Sequence, residues 1–345
     1  MALASRVGSS SRCPAAWFTH GNATVNCSQE QLFLVRKPYR SLGGRAHDVS
    51  SGTPCPRTDI RAIGDSLVKN QTALRRIRIA LTCVLAALLT SFAAPQANAA
   101  TYPNSMDALD DSITRAFNTC WFPFVDCTQN SWATGTSSSV NSYYQRLTAL
   151  NPGLEGNNHN DAVSGAVMAD LDGQAADAVS RNVELVTILM GNNDACADSI
   201  DTMTPVSTFR SQFEAAMSRL DSGIPNADIK VGSLPDIHQL WELFKDDPDA
   251  RSTWDSYNIC QSLLANPQST GPADVERRQI FRQRVIDYNT VLADVCAQYT
   301  QCEFDNDAGF KTTFRARHVS TRDYFHPSVE GQTLLASVAW NALGY

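Results

Sequence analysis

Residues 186–194 read Val186-Thr187-Ile188-Leu189-Met190-Gly191-Asn192-Asn193-Asp194, a short apolar run that ends in turn residues. We predict a buried strand over Leu185–Met190. Similar runs near Met106–Asp110 and Asp228–Ser233 predict two more strands. A sheet of such apolar strands needs cover on both faces.

Helical patterns lie between and after these strands. Apolar residues follow helical spacing in one stripe from Phe209 to Leu220 and in a second from Phe281 to Val295, and we interpret both stripes as core packing. Strands that alternate with helices predict an α/β fold with a parallel sheet. The functional groups of such folds gather outside the carboxyl ends of the strands.

Charge is unevenly distributed along the 345 residues. Residues 1–99 hold twelve of the 28 Lys and Arg but only four of the 35 Asp and Glu. Residues 100–345 therefore carry sixteen basic and thirty-one acidic side chains, a formal charge of −15. A domain this acidic repels phosphate backbones, which argues against a nucleic-acid partner.

The N-terminal part has the pattern of a secretory signal peptide. Three arginines within residues 75–78 precede an apolar run from Ile79 to Leu89, and Ala97-Asn98-Ala99 matches a cleavage site. A membrane anchor is the weaker alternative, because a membrane-spanning helix needs about 20 apolar residues. We predict a signal peptide at residues 75–99, a secreted protein and no stable membrane span.

Residues 1–74 form a leader ahead of this signal. Residues 1–70 are rich in Ser, Arg, Gly and Pro and show no helical or strand periodicity. Either translation starts downstream, near Leu67 or Val68, or the leader is disordered. Residues 100–345 have a length that suits a single α/β domain.

Cysteine usage supports export. Six of the ten cysteines lie in residues 100–345, and an even number in an exported chain predicts disulfides. Six cysteines allow fifteen pairings, among which sequence alone does not choose. Short spacings favour Cys120–Cys127 and Cys296–Cys302, which leaves Cys196–Cys260. No pair has C-x-x-C spacing and no histidine cluster accompanies them, so no metal site is expected.

A serine follows the first predicted strand, in Leu109-Asp110-Asp111-Ser112-Ile113-Thr114. At a corner between a strand and a helix its hydroxyl would be exposed, and the helix N-terminus would favour negative charge beside it. Asp-Ser pairs are also common in ordinary turns, so this segment alone does not identify a nucleophile.

Two later turns could donate hydrogen bonds to an oxyanion. Gly165, in Asn160-Asp161-Ala162-Val163-Ser164-Gly165-Ala166, would let the backbone N–H approach a substrate closely, although ordinary turns also use glycine. Asn193 follows the strand at Leu185–Met190 and could donate from its side-chain amide. An Asx-rich turn that caps the next helix has the same composition.

A candidate general base lies in Asp323-Tyr324-Phe325-His326-Pro327. An Asp three residues before a His can accept its Nδ1 hydrogen and orient the ring, which leaves Nε2 free as a base. Pro327 disfavours helix at His326 and so favours a loop. The remaining histidines of this part have no such partner, and we interpret them as structural: His159, His238 and His318.

In order and spacing these four segments resemble the conserved blocks of the GDSL/SGNH hydrolases. The resemblance covers residues 104–345 and implies a three-layer α/β/α sandwich with a parallel, flavodoxin-like sheet. At matching positions it implies Ser112 as nucleophile, with Asp323 and His326 completing a triad. It also implies an oxyanion hole formed by three donors: the Ser112 N–H, the Gly165 N–H and the Asn193 side chain.

Further segments are similar to the phospholipase B-like members of that family. They are Ser131-Trp132, Asn151-Pro152, Asp170-Leu171, Gln174-Ala175 and Gly191-Asn192-Asn193-Asp194-Ala195-Cys196. This similarity favours acyl esters of lipids or phospholipids as substrates, cleaved through an acyl-enzyme without metal or organic cofactor. The alternatives are a carbohydrate O-acetyl esterase and a catalytically inactive secreted binding domain. We expect a monomer whose partner is a small-molecule or lipid ester.

Three features complicate this interpretation. Ile63-Gly64-Asp65-Ser66-Leu67 spells the family's name motif, but it precedes the signal peptide and we interpret it as coincidence. Asp110 stands where the family has glycine; a positive φ or a charge there would oppose catalysis, whereas a side chain directed away would have little effect. Three aromatic residues beside two cysteines either line an acyl site or pack in an ordinary way: Trp121, Phe122 and Phe124.

Overall fold

Five parallel strands form one sheet in the order β2-β1-β3-β4-β5. They are β1 Met106–Asp110, β2 Asn158–Asn160, β3 Leu185–Leu189, β4 Asp228–Val231 and β5 Cys302–Phe304. The structure is a computed structural model that describes residues 102–345. The leader and signal peptide expected at 1–74 and 75–99, and the Gly64-Asp65-Ser66-Leu67 segment, lie outside the described residues.

Ten α-helices connect and cover the strands within this part of the chain. They are α1 Tyr143–Leu150, α2 Leu171–Arg181, α3 Asn192–Ala195, α4 Val206–Gly223, α5 His238–Phe244, α6 Pro248–Ser256, α7 Gln261–Leu264, α8 Pro272–Cys296, α9 Ala308–Lys311 and α10 Val329–Leu343. Single 3-10 turns occur at Thr128–Asn130, Pro152–Leu154, Met168–Asp170 and Ala316–His318. In residues 102–345, none of the helices is long and apolar enough to cross a bilayer.

The strands bury side chains on both faces, which makes the fold a three-layer α/β/α sandwich. On one face, Val186 and Ile188 of β3 pack with the apolar stripes of α2, α4 and α8. On the other, Met106 and Ala108 of β1 lie in clusters that include residues of α1 and α10. Phe209 and Tyr288 stack with ring centroids 4.0 Å apart, which joins α4 to α8. The predicted α/β class and the layered sandwich are confirmed.

The three predicted strands are β1, β3 and β4, and the two predicted stripes lie on α4 and α8 with their apolar residues buried. The edge strands β2 and β5 were not foreseen. Each has only three residues, and β2 reads Asn158-His159-Asn160. Such strands bury little apolar surface, so they leave no periodic signal in the sequence.

Three disulfides are present: Cys120–Cys127, Cys196–Cys260 and Cys296–Cys302. This is the pairing that the spacings favoured. The bond between Cys196 and Cys260 joins residues 64 apart, whereas the other two close loops of 7 and 6 residues.

Removal of the long-range disulfide is expected to cost the most stability. The chain-entropy model gives about 4 kcal/mol for a loop of this length and about 2 kcal/mol for each short loop. Urea unfolding of Cys196→Ala/Cys260→Ala, with Cys296→Ala/Cys302→Ala as the matched control, measures the difference. A larger loss in the control variant would show that local packing, not loop closure, dominates.

Candidate active site

Ser112, His326 and Asp323 form a continuous hydrogen-bonded chain at the carboxyl edge of the sheet. His326 Nε2 lies 2.8 Å from Ser112 Oγ, and His326 Nδ1 lies 2.6 Å from Asp323 Oδ2. Ser112 comes two residues after β1 ends, and the other two residues lie in the loop before α10. The fold thus joins residues 214 apart in sequence. An imidazole between a hydroxyl and a carboxylate can take the hydroxyl proton while the carboxylate stabilises the resulting cation.

Asp323 is buried and accepts four hydrogen bonds. The backbone N–H groups of Phe325 and His326 donate to Oδ1 at 3.0 and 3.1 Å, while His326 Nδ1 and Asn118 Nδ2 approach Oδ2. Burial alone would raise the pKa of Asp323, but the hydrogen bond and charge of His326 and the backbone donors outweigh it and lower the pKa. The carboxylate therefore stays ionised and fixed in orientation.

Asn118 is a supporting residue that the sequence interpretation missed. Its Nδ2 donates to Asp323 at 2.5 Å, and its Oδ1 accepts the Phe124 N–H at 2.5 Å. Its φ of 64° lies in the left-handed region, which asparagine tolerates better than most residues. In sequence it is an ordinary turn asparagine, and only the contact with Asp323, 205 residues away, reveals its position.

The helix predicted after Ser112 is wrong, because residues 112–118 form successive turns. Ala116 has a φ of 50° and Asn118 one of 64°, and such values interrupt a right-handed helix. No regular helix therefore follows Ser112 within residues 112–118. The turn is held instead by the Asp111 carboxylate, whose Oδ1 accepts the Ile113 N–H at 2.8 Å.

Two buried glutamines hold the backbone on either side of Ser112. Gln174 on α2 makes two hydrogen bonds with the main chain of Asp110, at 2.8 and 2.9 Å. Gln332 on α10 donates to the Ile113 carbonyl at 2.8 Å and accepts the Trp132 N–H at 2.9 Å. Both residues lie on buried helix faces where apolar side chains are usual, and nothing in the sequence indicated these roles.

Asp110 is directed away from the reacting groups. It lies in β1, without positive φ, and its Oδ2 accepts the Thr114 hydroxyl, which in turn accepts the Trp132 indole N–H at 2.7 Å. Burial, followed by the Asp111 carboxylate, raises the pKa of Asp110 well above its usual range. The side chain thus lies in a buried, hydrogen-bonded site that disfavours its charged form, and it contacts Thr114 instead of Ser112 or His326. This is the arrangement in which replacing the family's glycine has little effect.

Asp110→Gly is accordingly expected to destabilise the protein without raising its activity. The variant leaves the Thr114 hydroxyl without its acceptor and adds backbone freedom in a strand, together about 2–3 kcal/mol. Asp110→Asn keeps a neutral acceptor and serves as the matched control, with a small change in stability. Urea unfolding and esterase rates measure both effects; a faster Asp110→Gly enzyme would contradict this account.

Two of the three proposed oxyanion donors are backbone N–H groups, and both are free in the described residues. Neither the Ser112 N–H nor the Gly165 N–H has a hydrogen-bond acceptor among residues 102–345. Gly165 is exposed with a φ of 88°, and no atom lies within 4 Å of where a Cβ would stand, so backbone conformation rather than space requires glycine. These two N–H groups remain available for a bound oxygen.

Asn193, the third proposed donor, lies at the start of α3. Its Nδ2 donates to the Ala166 carbonyl at 2.8 Å and makes a longer contact of 3.3 Å with Asp111 Oδ2. The first bond orients the amide, and the longer one is the weaker competitor for its second hydrogen. Burial raises the pKa of Asp111 to about 6, which weakens that carboxylate as a competitor below this pH.

Asn193→Ala is expected to reduce kcat by about 10²–10³-fold, the usual cost of one lost oxyanion donor. Asn192→Ala is the matched control, since the neighbouring amide is buried and has no hydrogen-bond partner among the described residues. Steady-state kinetics on a soluble ester, with circular dichroism to verify folding, make the comparison. Equal losses in the two variants would indicate a structural role for the turn.

Among the described residues, the other candidates named from the sequence make no hydrogen bond to Ser112, His326 or Asp323. His238 packs beside Trp241 on α5, and His318 accepts a hydrogen bond from the Arg315 N–H. Trp121 is 89% exposed and Phe122 69% exposed, so ordinary packing does not describe them. Among the described residues, no group of three or more His, Cys, Asp or Glu is placed to hold a metal ion.

A family model describes the chain. The GDSL-like lipase/acylhydrolase family matches residues 111–334, a match that begins one residue before Ser112 and excludes Gly64-Asp65-Ser66-Leu67. The chain belongs to the GDSL-like lipase/acylhydrolase family, as its sequence resemblance predicted. No curated protein matches the chain.

Several solved structures are similar in fold. A catalytic mutant of Axe2, an acetylxylan esterase from Geobacillus stearothermophilus, is 17% identical with a TM-score of 0.44, over 70% of this chain and 94% of the other. An extracellular lipase from Streptomyces rimosus is 17% identical with a TM-score of 0.43, over 69% and 99%. A phospholipase A1 from Streptomyces albidoflavus NA297 is 15% identical with a TM-score of 0.42, over 69% and 98%.

Proposed function

We propose that this protein is a secreted serine hydrolase that cleaves carboxylic esters, preferably acyl esters of lipids or phospholipids, through an acyl-enzyme. The observation that carries the proposal is the unbroken chain from Ser112 Oγ through His326 to Asp323. Membership of a lipase/acylhydrolase family supports the same reaction type.

The reaction follows from the geometry in two acyl-transfer steps. His326 Nε2 takes the proton of Ser112 as its oxygen attacks the ester carbonyl, and the carbonyl oxygen becomes negative. The N–H groups of Ser112 and Gly165 and the amide of Asn193 stabilise that charge. The protonated His326 then gives its proton to the leaving alcohol. Water, activated by the same base, releases the acid.

Extracellular location is part of the proposal. All six cysteines of the described part are paired in disulfides, which persist in oxidising compartments. The signal-peptide pattern at residues 75–99 supports export on independent grounds. N-terminal sequencing of the protein from the culture medium tests cleavage after Ala99.

Fluorophosphonate labelling of the full chain, with peptide mass spectrometry to locate the modified residue, tests the nucleophile. The label is expected on Ser112 and is expected to be lost in Ser112→Ala and strongly reduced in His326→Ala. Ser207→Ala, which removes an exposed hydroxyl on α4, is the control that keeps full labelling. No label on folded, oxidised protein would favour the inactive binding domain.

Substrate class is tested separately by chain length. A lipid esterase of the phospholipase B-like kind is expected to have a higher kcat/KM on octanoyl than on acetyl esters of p-nitrophenol, and to release fatty acid from phosphatidylcholine. A preference for acetyl esters and release of acetate from acetylated xylan would favour the carbohydrate O-acetyl esterase instead.

A further inference from the structure

The loop between Cys120 and Cys127, called here the aromatic loop, presents apolar side chains to solvent. Trp121, Phe122 and Phe124 are 89%, 69% and 47% exposed. Exposing three aromatic side chains together forfeits the free energy that their burial would contribute. A contiguous exposed patch of this kind marks an interaction surface more often than a lone exposed residue does.

The fold holds the aromatic loop in this outward position. The Cys120–Cys127 disulfide closes it, and the Asn118 N–H donates to the Val125 carbonyl at its base. Next to Cys120, Arg322 Nη2 donates to the Trp121 carbonyl at 2.8 Å. The exposed rings are therefore carried by a braced main chain, and their exposure is a property of the native structure.

More apolar side chains extend the same surface. Phe124 contacts the exposed Tyr257, with ring centroids 5.2 Å apart. Val125 and Val163 are also exposed, and the turn that carries Val163 is joined to the aromatic loop by a hydrogen bond from Ser164 to Asp126. Six of the eleven exposed large apolar residues of the described part thus belong to the aromatic loop or to segments in contact with it.

A basic group borders this patch on an otherwise acidic domain. Arg317 is exposed, and Arg322 is half-buried against the aromatic loop. Within residues 102–345, neither arginine has a carboxylate within 4.0 Å, whereas Arg115 nearby is paired with Asp126. Arg317 and Arg322 share a surface depression with Cys120, where Glu330 is the acidic neighbour. The local excess is positive, opposite in sign to the domain as a whole.

We propose that the aromatic loop and these arginines dock the protein on an anionic lipid surface, an inference that rests on the proposed lipid esterase function. Tryptophan and phenylalanine insert favourably at the boundary between headgroups and acyl chains. Arginines beside them attract anionic headgroups. Phenylalanine, proline and valine make up most of the loop. Such apolar side chains are better suited to contact an acyl layer than to contact a sugar polymer.

The position of the docking surface suits the chemistry. Asn118 bonds the aromatic loop on one side and Asp323 on the other. Asp126 of the loop bonds Ser164, next to the proposed oxyanion donor Gly165. A membrane at the aromatic loop would therefore lie beside both Asp323 and the proposed oxyanion donor Gly165. An acyl chain could then reach Ser112 without crossing bulk water.

Vesicle binding tests the proposal independently of catalysis. The full chain carrying Ser112→Ala is mixed with vesicles of phosphatidylcholine containing 30 mol% phosphatidylglycerol, and bound protein is measured by flotation. Adding Trp121→Ala and Phe122→Ala is expected to weaken partitioning at least about tenfold. Leu150→Ala with Val275→Ala, which removes exposed apolar side chains elsewhere, is the matched control with unchanged partitioning. Arg317→Gln is expected to weaken it about fivefold.

Several outcomes would overturn the docking surface. One is a parent protein that does not bind vesicles at all, and another is equal binding of vesicles by the parent and the Trp121→Ala/Phe122→Ala variant. A variant that loses only self-association, or only binding to acetylated xylan, would also overturn it. Fluorophosphonate labelling of the Ser112 enzyme separates the two proposals. A labelled enzyme that ignores vesicles would refute docking alone, whereas an unlabelled protein that binds them would refute the hydrolase alone.

Discussion

His326→Ala is expected to lower kcat for ester hydrolysis by about 10⁶-fold, the largest single-residue effect together with Ser112→Ala. Without Nε2 at 2.8 Å, Ser112 has no base to take its proton and the leaving alcohol has no acid. Hydrolysis of p-nitrophenyl butyrate measures the loss. The effects of the two substitutions should not add, because the proposed mechanism uses Ser112 and His326 as one unit.

His238→Ala is the matched control for that experiment. This histidine packs beside the Trp241 ring, and its Nδ1 lies 3.4 Å from the Glu242 carboxylate. It belongs to α5 and contacts neither Ser112 nor Asp323. Its variant is expected to keep activity within about a factor of two, since it adds or removes nothing at the reacting atoms. A loss below 100-fold in His326→Ala would refute the assigned base.

Asp323→Asn is expected to reduce kcat by about 10⁴-fold, as when the carboxylate of such a triad is replaced by an amide. The amide would favour the wrong tautomer of His326 and would leave its charged form unstabilised. Asp323 also accepts four hydrogen bonds, so an NH₂ group must face at least one donor. A loss of stability of about 1–3 kcal/mol should accompany the loss of rate.

Asp172→Asn is the control that separates the loss of rate from the loss of stability. Asp172 also has a lowered pKa, caused chiefly by its hydrogen bonds from Arg219, but it lies on the surface of α2. This control is expected to leave kcat unchanged and to cost less than about 1 kcal/mol, because exposed ion pairs contribute little. Stopped-flow or steady-state rates with urea unfolding distinguish rate from stability. An active Asp323→Asn enzyme would show that the Ser112–His326 pair suffices alone.

Much of the fold was predictable because the buried central strands and long helices have recognisable apolar patterns in the sequence. β3 is buried along its whole length, and the α8 stripe places apolar residues from Phe281 to Val295 on one face. The edge strands β2 and β5 were missed because three residues at a sheet margin need no apolar pattern. The helix expected after Ser112 was wrong because propensity does not reveal the left-handed residues, Ala116 and Asn118, that interrupt it.

For the site, local sequence was enough to predict the chemical types and their order: a serine after the first strand, an Asn turn after the third, and Asp323 three residues before His326. These signals are local, because each depends on residues a few positions apart. Tertiary packing was needed to bring Asn118 to Asp323 and to place Gln174 and Gln332 against the turn of Ser112. The direction of the Asp110 side chain toward Thr114 also became evident only in the structure. Polar contacts between residues far apart in the chain require no pattern in sequence, since packing of the sheet against its helices alone brings them within hydrogen-bond distance.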